Sequence, residues 1–116
     1  MTWVIRVVTP KKPARFVLVK PECKVYYNGR YYDPTEITVK KGDTIVVIAV
    51  VENVGDEGGT CELAILANGR PVRTDRFYIA GHKKARRTFS LKINESVNID
   101  IAVKKAGERE WSDTYG

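Results

Sequence analysis

The sequence predicts an all-β fold, an immunoglobulin-like antiparallel β-sandwich of about seven to nine strands. Three observations predict it. Residues 45–51 are Val and Ile at every position but Ala49, and β-branched side chains fit a pleated surface better than a helix. Elsewhere apolar residues recur with period two, as at Arg87, Phe89, Leu91 and Ile93, the spacing of a half-buried strand. Turn residues punctuate the chain about every ten positions, as in sandwiches and barrels.

Residues 2–8 begin the chain as an apolar run. Trp3, Ile5 and Val7 lie on one face, and Val4, Arg6 and Val8 on the other. Thr9-Pro10-Lys11-Lys12-Pro13 then breaks it as a linker. The chain therefore divides into an N-terminal strand and linker, residues 1–12, and a sandwich, residues 13–116. The first strand is either an edge of its own sandwich or a strand donated to a neighbour's sheet edge.

Residues 14–20 form the next strand, with Phe16 and Leu18 opposite Val17 and Val19, and Pro21 ends it. Asn28-Gly29 is a two-residue hairpin turn, because both positions need positive φ. It pairs Tyr27 with Arg30 and Tyr26 with Tyr31, and gathers four tyrosines with Tyr32. The rings either stabilise the hairpin as cross-strand pairs or, beside Arg30, form a recognition tip. Asp33-Pro34 reads as a turn, and residues 36–40 as a short strand with Ile37 and Val39 on one face.

Residues 43–67 organise the rest. Two long apolar runs flank the bend Asn53-Val54-Gly55-Asp56-Glu57-Gly58-Gly59 and read as a central hairpin-like pair. Neither face of residues 45–51 is polar, so both need cover. The second sheet and an overlying terminal segment supply it, or a partner chain covers one face. Asn68-Gly69 is a second tight turn, and Pro71 places the following strand at a sheet edge. Gly81-His82-Lys83-Lys84 turns into the strand carrying Phe89 and Leu91; Asn94-Glu95-Ser96 turns again. Val97, Ile99, Ile101 and Val103 alternate with Asn98, Asp100, Ala102 and Lys104, the pattern of a half-solvated strand. A polar closing segment offers Trp111 and Tyr115 as anchors.

At 116 residues the chain makes one domain with an adequate core. No apolar run is long enough to span a membrane, and the N-terminus lacks the pattern of a signal peptide. Gln is absent, Met occurs only at position 1, and 29% of residues are charged, which points toward a thermophilic source. Cys23 and Cys61 form either a disulfide or two buried thiols. With His82 the only histidine, no structural metal site is expected. No nucleophile, orienting acid or phosphate loop stands near it, so no catalytic residue, cofactor or small-molecule substrate is expected, and His82 and Asp56 read as solvated loop residues. The net charge of +6 concentrates in Arg70, Arg73, Arg76, Lys83, Lys84 and Arg86, within one hairpin and its turn. That cluster is a solvated face or a patch for nucleic acid or another anionic polymer.

Glu52-Asn53-Val54-Gly55-Asp56 after the central strand, and Tyr78-Ile79-Ala80-Gly81 before an alternating strand, resemble the turn motifs of the CARDB family, the cell-adhesion-related immunoglobulin-like domains. The resemblance covers about residues 14–104. It departs at Val103-Lys104-Lys105-Ala106-Gly107, which is basic where many such domains have an acidic, Asn-rich loop, and this argues against a calcium role. The resemblance implies a non-enzymatic surface or structural module: adhesion, a filament or coat subunit, even a virion component. It favours an extracellular, cell-surface or virion location, a protein partner or self-association, and, if the chain is exported, a glycan at the Asn94 sequon.

Overall fold

The computed structural model describes residues 1–33 and 35–116. Nine antiparallel strands form two facing sheets among them. The first sheet holds β1 (Phe16–Leu18), β2 (Lys24–Tyr27), β3 (Arg30–Tyr32), β4 (Thr44–Asn53) and β7 (Lys84–Lys92). The second runs β6 (Arg70–Ile79), β5 (Gly59–Ala67), β8 (Ile99–Lys105) and β9 (Asp113–Thr114). The core lies between them, with Val47, Ala49 and Val51 of β4 facing the space that Leu63 and Ile65 of β5 also fill. No helix among the described residues is long and apolar enough to cross a membrane.

One expectation about the centre is corrected. β4 and β5 are not a hydrogen-bonded pair. β4 pairs with β1, β2 and β7, and β5 with β6 and β8. The bend at residues 54–58 carries the chain from one sheet to the other, so the two most apolar strands become the middle of opposite layers. A run apolar on both faces is buried best there. The outer face of β4 is covered by the chain itself. Ile48 and Val50 are buried; Lys24, Thr88 and Arg86 sit beside them in register, and the 3-10 turn Lys20–Glu22 packs against β4.

Both Asn-Gly turns form as read. Asn28 and Asn68 have φ of 50°, and Gly29 and Gly69 have φ of 79° and 82°. Tyr26 stands opposite Tyr31, and Tyr27 opposite Arg30. β6, with Pro71, is an edge strand, and a register shift between Ile65 and Leu66 absorbs one residue at that proline.

Three further expectations change. Residues 36–40 form no strand. Val39 packs on the core, but the Lys40 amide bonds the Tyr27 hydroxyl (3.3 Å) instead of a strand. β8 is not half-solvated: Ala102 is fully buried on its outer face, where Ala64, Leu66 and Ala102 pack under Trp111. Finally, residues 2–8 join no sheet. Of the Asp33-Pro34 turn, Pro34 lies outside the described residues.

Candidate interaction surfaces

The N-terminal segment leaves the sandwich at the bend after β4, and that bend is built to hold it. Asn53 is fully buried. Its Oδ1 accepts the amides of Arg15 (3.1 Å) and Gly55 (3.0 Å), and its Nδ2 donates to the carbonyls of Glu57 (2.8 Å) and Ile79 (3.1 Å). One side chain thus ties β1, the bend and β6 together. Gly55 must lack a side chain, because a Cβ there would overlap the Pro13 carbonyl. Asp56 completes the hold. Its Oδ2 accepts the Lys12 amide (2.8 Å) and its Oδ1 meets His82 Nε2 (2.7 Å), while the amides of Asp56 and Glu57 donate to the Lys12 carbonyl. The Lys12 amide, then His82, hold the Asp56 carboxyl below its usual range. From the sequence Asp56 and His82 are two separate solvated loop residues; in the structure they are joined. They lie 26 positions apart, and no spacing signal links them.

Beyond this clasp residues 1–11 are exposed. Trp3, Ile5 and Val7 are 92%, 83% and 88% exposed. The molecule accordingly measures 79 × 28 × 20 Å. A strand of ten residues spans about 30 Å, so the long axis includes the extended segment.

At the opposite end the sheets part. There a groove of about 1100 Å³ opens between β2 with residues 35–39 on one side and β8 with residues 93–98 on the other. Val25, Ile37, Val39, Ile45, Ile99 and Ile101 are among its lining. On this side β8 is paired only at Ala102 and Val103, by the two-residue β9, with the Tyr115 amide reaching the Ile101 carbonyl. The Ile101 amide turns to the Asp100 side chain (2.8 Å). Ile37, Val39 and Ile99 alternate as apolar-face residues, but no spacing in the sequence signals the groove they line.

The tyrosine hairpin presents Tyr26, Arg30 and Tyr31 to solvent, with Tyr27 and Tyr32 half-buried. The rings of Tyr26 and Tyr31 lie 4.9 Å apart at 56°, a cross-strand contact. The Tyr27 hydroxyl donates to Asp43 Oδ2 (2.6 Å), which raises its pKa.

The basic residues are all exposed but divide between faces. Lys84 and Arg86 lie on the outer face of the first sheet, Arg76 on the outer face of the second, and Arg70 and Lys83 in or beside turns. Arg76 pairs with Glu62 (2.7 Å) and Lys84 with Glu22 (2.8 Å). Arg73 flanks a smaller surface hollow beside Leu91. Arg87 turns inward, its guanidinium 4.0 Å over the Phe77 ring.

Cys23 and Cys61 are free, buried thiols, so the unbonded alternative describes the structure and the Cys23–Cys61 bridge is not formed. Burial pushes both thiols up, Cys61 to about 11. Asn94 is exposed on the groove's rim. Among the described residues no group of three His, Cys, Asp or Glu side chains is placed to hold a metal ion. No protein-family model and no curated protein matches this chain.

Proposed function

We propose that the chain is a non-enzymatic protein-interaction module, a structural subunit whose sandwich is a rigid carrier for the apolar strand at residues 3–8. The observation that carries this reading is the exposure of Trp3, Ile5 and Val7 on a segment whose root is pinned at Lys12. Contiguous exposed apolar surface marks interaction sites, and an extended strand that alternates apolar side chains is the form that adds to another protein's sheet. The turn motifs around Asn53 and Gly81, which resemble those of CARDB domains, support the same class of role, in an adhesion, filament or coat setting.

Sedimentation velocity and Trp fluorescence test it together. Trp111→Phe leaves Trp3 as the one reporter. Assembly accompanied by a blue shift of Trp3 emission supports the reading. A monomer with water-exposed Trp3 emission at every concentration, alone and mixed with extract from its source cells, sinks it.

A further inference from the structure

We infer that residues 2–8 of one copy fill the groove between β2 and β8 of a second copy, so that subunits join head to tail. The inference rests on the interaction-module reading and names its partner and its site.

Three observations carry it. The first is chemical fit. Residues 36–40 line the groove without forming a strand, and Val25, Ile37, Val39, Ile45, Ile99 and Ile101 give it an apolar floor within a polar rim. Residues 2–8 are an apolar strand lacking a sheet. With Trp3, Ile5 and Val7 turned in beside Ile99 and Ile101, the one charged side chain of the segment, Arg6, faces outward between Val4 and Val8.

The second is a lightly held edge. Beside Ile99 the outer side of β8 carries no strand, and at Ile101 only the chain end holds it: the Tyr115 amide donates to the Ile101 carbonyl (2.9 Å), and Asp100 Oδ1 accepts the amides of Ile101 (2.8 Å) and Gly116 (3.0 Å). An incoming strand displaces residues 115–116, continues the ladder that β9 begins and takes over the Ile101 amide. Backbone pairing supplies affinity and alternate side chains supply register.

The third is direction. The clasp at Lys12 and Asp56 sits by the C-terminal end of β4, whereas the groove surrounds Ile45 near its start. Eight residues of strand separate Ile45 from Asn53, about 26 Å. Each copy therefore offers its strand at one end and its groove at the other. To fill its own groove, the segment would have to reverse within residues 9–11, against Pro10 and the pinned Lys12. Such an interface is heterologous, so copies add head to tail and the mean mass grows with concentration, without limit unless the rotation between copies closes a ring.

Two full-length single-cysteine additions test this, Ile5→Cys and Val97→Cys, the second at the groove rim; the native thiols are buried. Under mild oxidation the mixture is expected to give a two-chain disulfide species that neither variant gives alone. Ile5→Cys mixed with Thr88→Cys, on the outer face of β7, is expected to give none. Ile5→Asp, in an otherwise intact chain, is expected to collapse the mass distribution to monomer with unchanged circular dichroism. Cross-linking to Thr88→Cys, or persistent assembly with Ile5→Asp, overturns the groove as recipient and leaves the interaction module standing. A monomer whose Ile5→Cys/Val97→Cys double variant bridges within one chain overturns the intermolecular step. A monomer with no cross-link and exposed Trp3 overturns the head-to-tail assembly, and the same result in the presence of source-cell extract overturns the interaction module as well.

Discussion

Asn53 Oδ1 accepts the Gly55 amide at 3.0 Å, two residues along the chain, while the same oxygen holds the Arg15 amide just ahead of β1. This side chain shapes the sheet-to-sheet crossing and the root of the projecting segment together. All of its hydrogen-bonding capacity is used, and burial leaves no water to replace it. Asn53→Ala is expected to lower unfolding stability by about 2–3 kcal/mol, because buried backbone groups lose partners. Urea denaturation measures it. A loss under about 0.5 kcal/mol, the range of an ordinary surface change, would show that the bend holds without the side chain.

The Asp56 clasp is expected to open in acid. Its carboxyl lies below the usual value because the folded state binds the charged form. A depressed carboxylate contributes stability that is full above its unfolded pKa and is lost as pH falls through the folded one. The root at Lys12 is therefore closed at neutral pH and opens below the ordinary carboxylate range of about 4. The protection of the Lys12 amide against exchange, measured by NMR relative to its intrinsic rate at each pH, is expected to be high at pH 6 and to fall in acid. Asp56→Asn is expected to remove it at pH 6; protection that survives this change would assign the hold to the Gly55 and Pro13 packing.

Much of this architecture was legible because period and turn chemistry are local. The Asn28-Gly29 and Asn68-Gly69 turns fixed their own registers, and Phe16, Val47 and Ile101 face inward as alternation requires. Sheet partnership was not legible. Residues 45–51 are apolar on both faces and residues 61–66 are broken only by Glu62, a pattern compatible with either adjacent strands or facing layers; the bend that Asn53 braces carries the chain between the layers. Residues 36–40 alternate like a strand, yet a strand exists only with a partner. The clasp and the groove both join residues distant in sequence, and such contacts leave no spacing to read.

Trp111 is expected to matter more than its loop position suggests. It covers Ala64, Leu66 and Ala102, and the Lys104 ammonium lies 4.5 Å over its ring. Trp111→Ala is expected to cost about 2 kcal/mol, below the range for a fully enclosed Trp because the ring is half exposed. Lys104→Ala is expected to cost about 1 kcal/mol or less. Thermal unfolding of both variants checks the order. A larger loss for Lys104→Ala would place the stabilisation in its pairing with Glu62 rather than in the ring.

The buried thiols set an alkaline limit. Folding keeps Cys61 neutral to about pH 11, against an unfolded value near 9. A raised thiol pKa contributes stability that is full below the unfolded value and is lost as pH rises through the folded one. Unfolding stability is therefore expected to fall between about pH 9 and 11, and Cys61→Ala is expected to flatten that slope while lowering stability at pH 7 through the space it leaves. At pH 8 a thiol reagent is expected to label neither cysteine in the folded chain and both in denaturant. Fast labelling of Cys23 in the folded chain would mean that β2 opens from β4, since Cys23 Sγ accepts the Val50 amide at 3.5 Å between those strands.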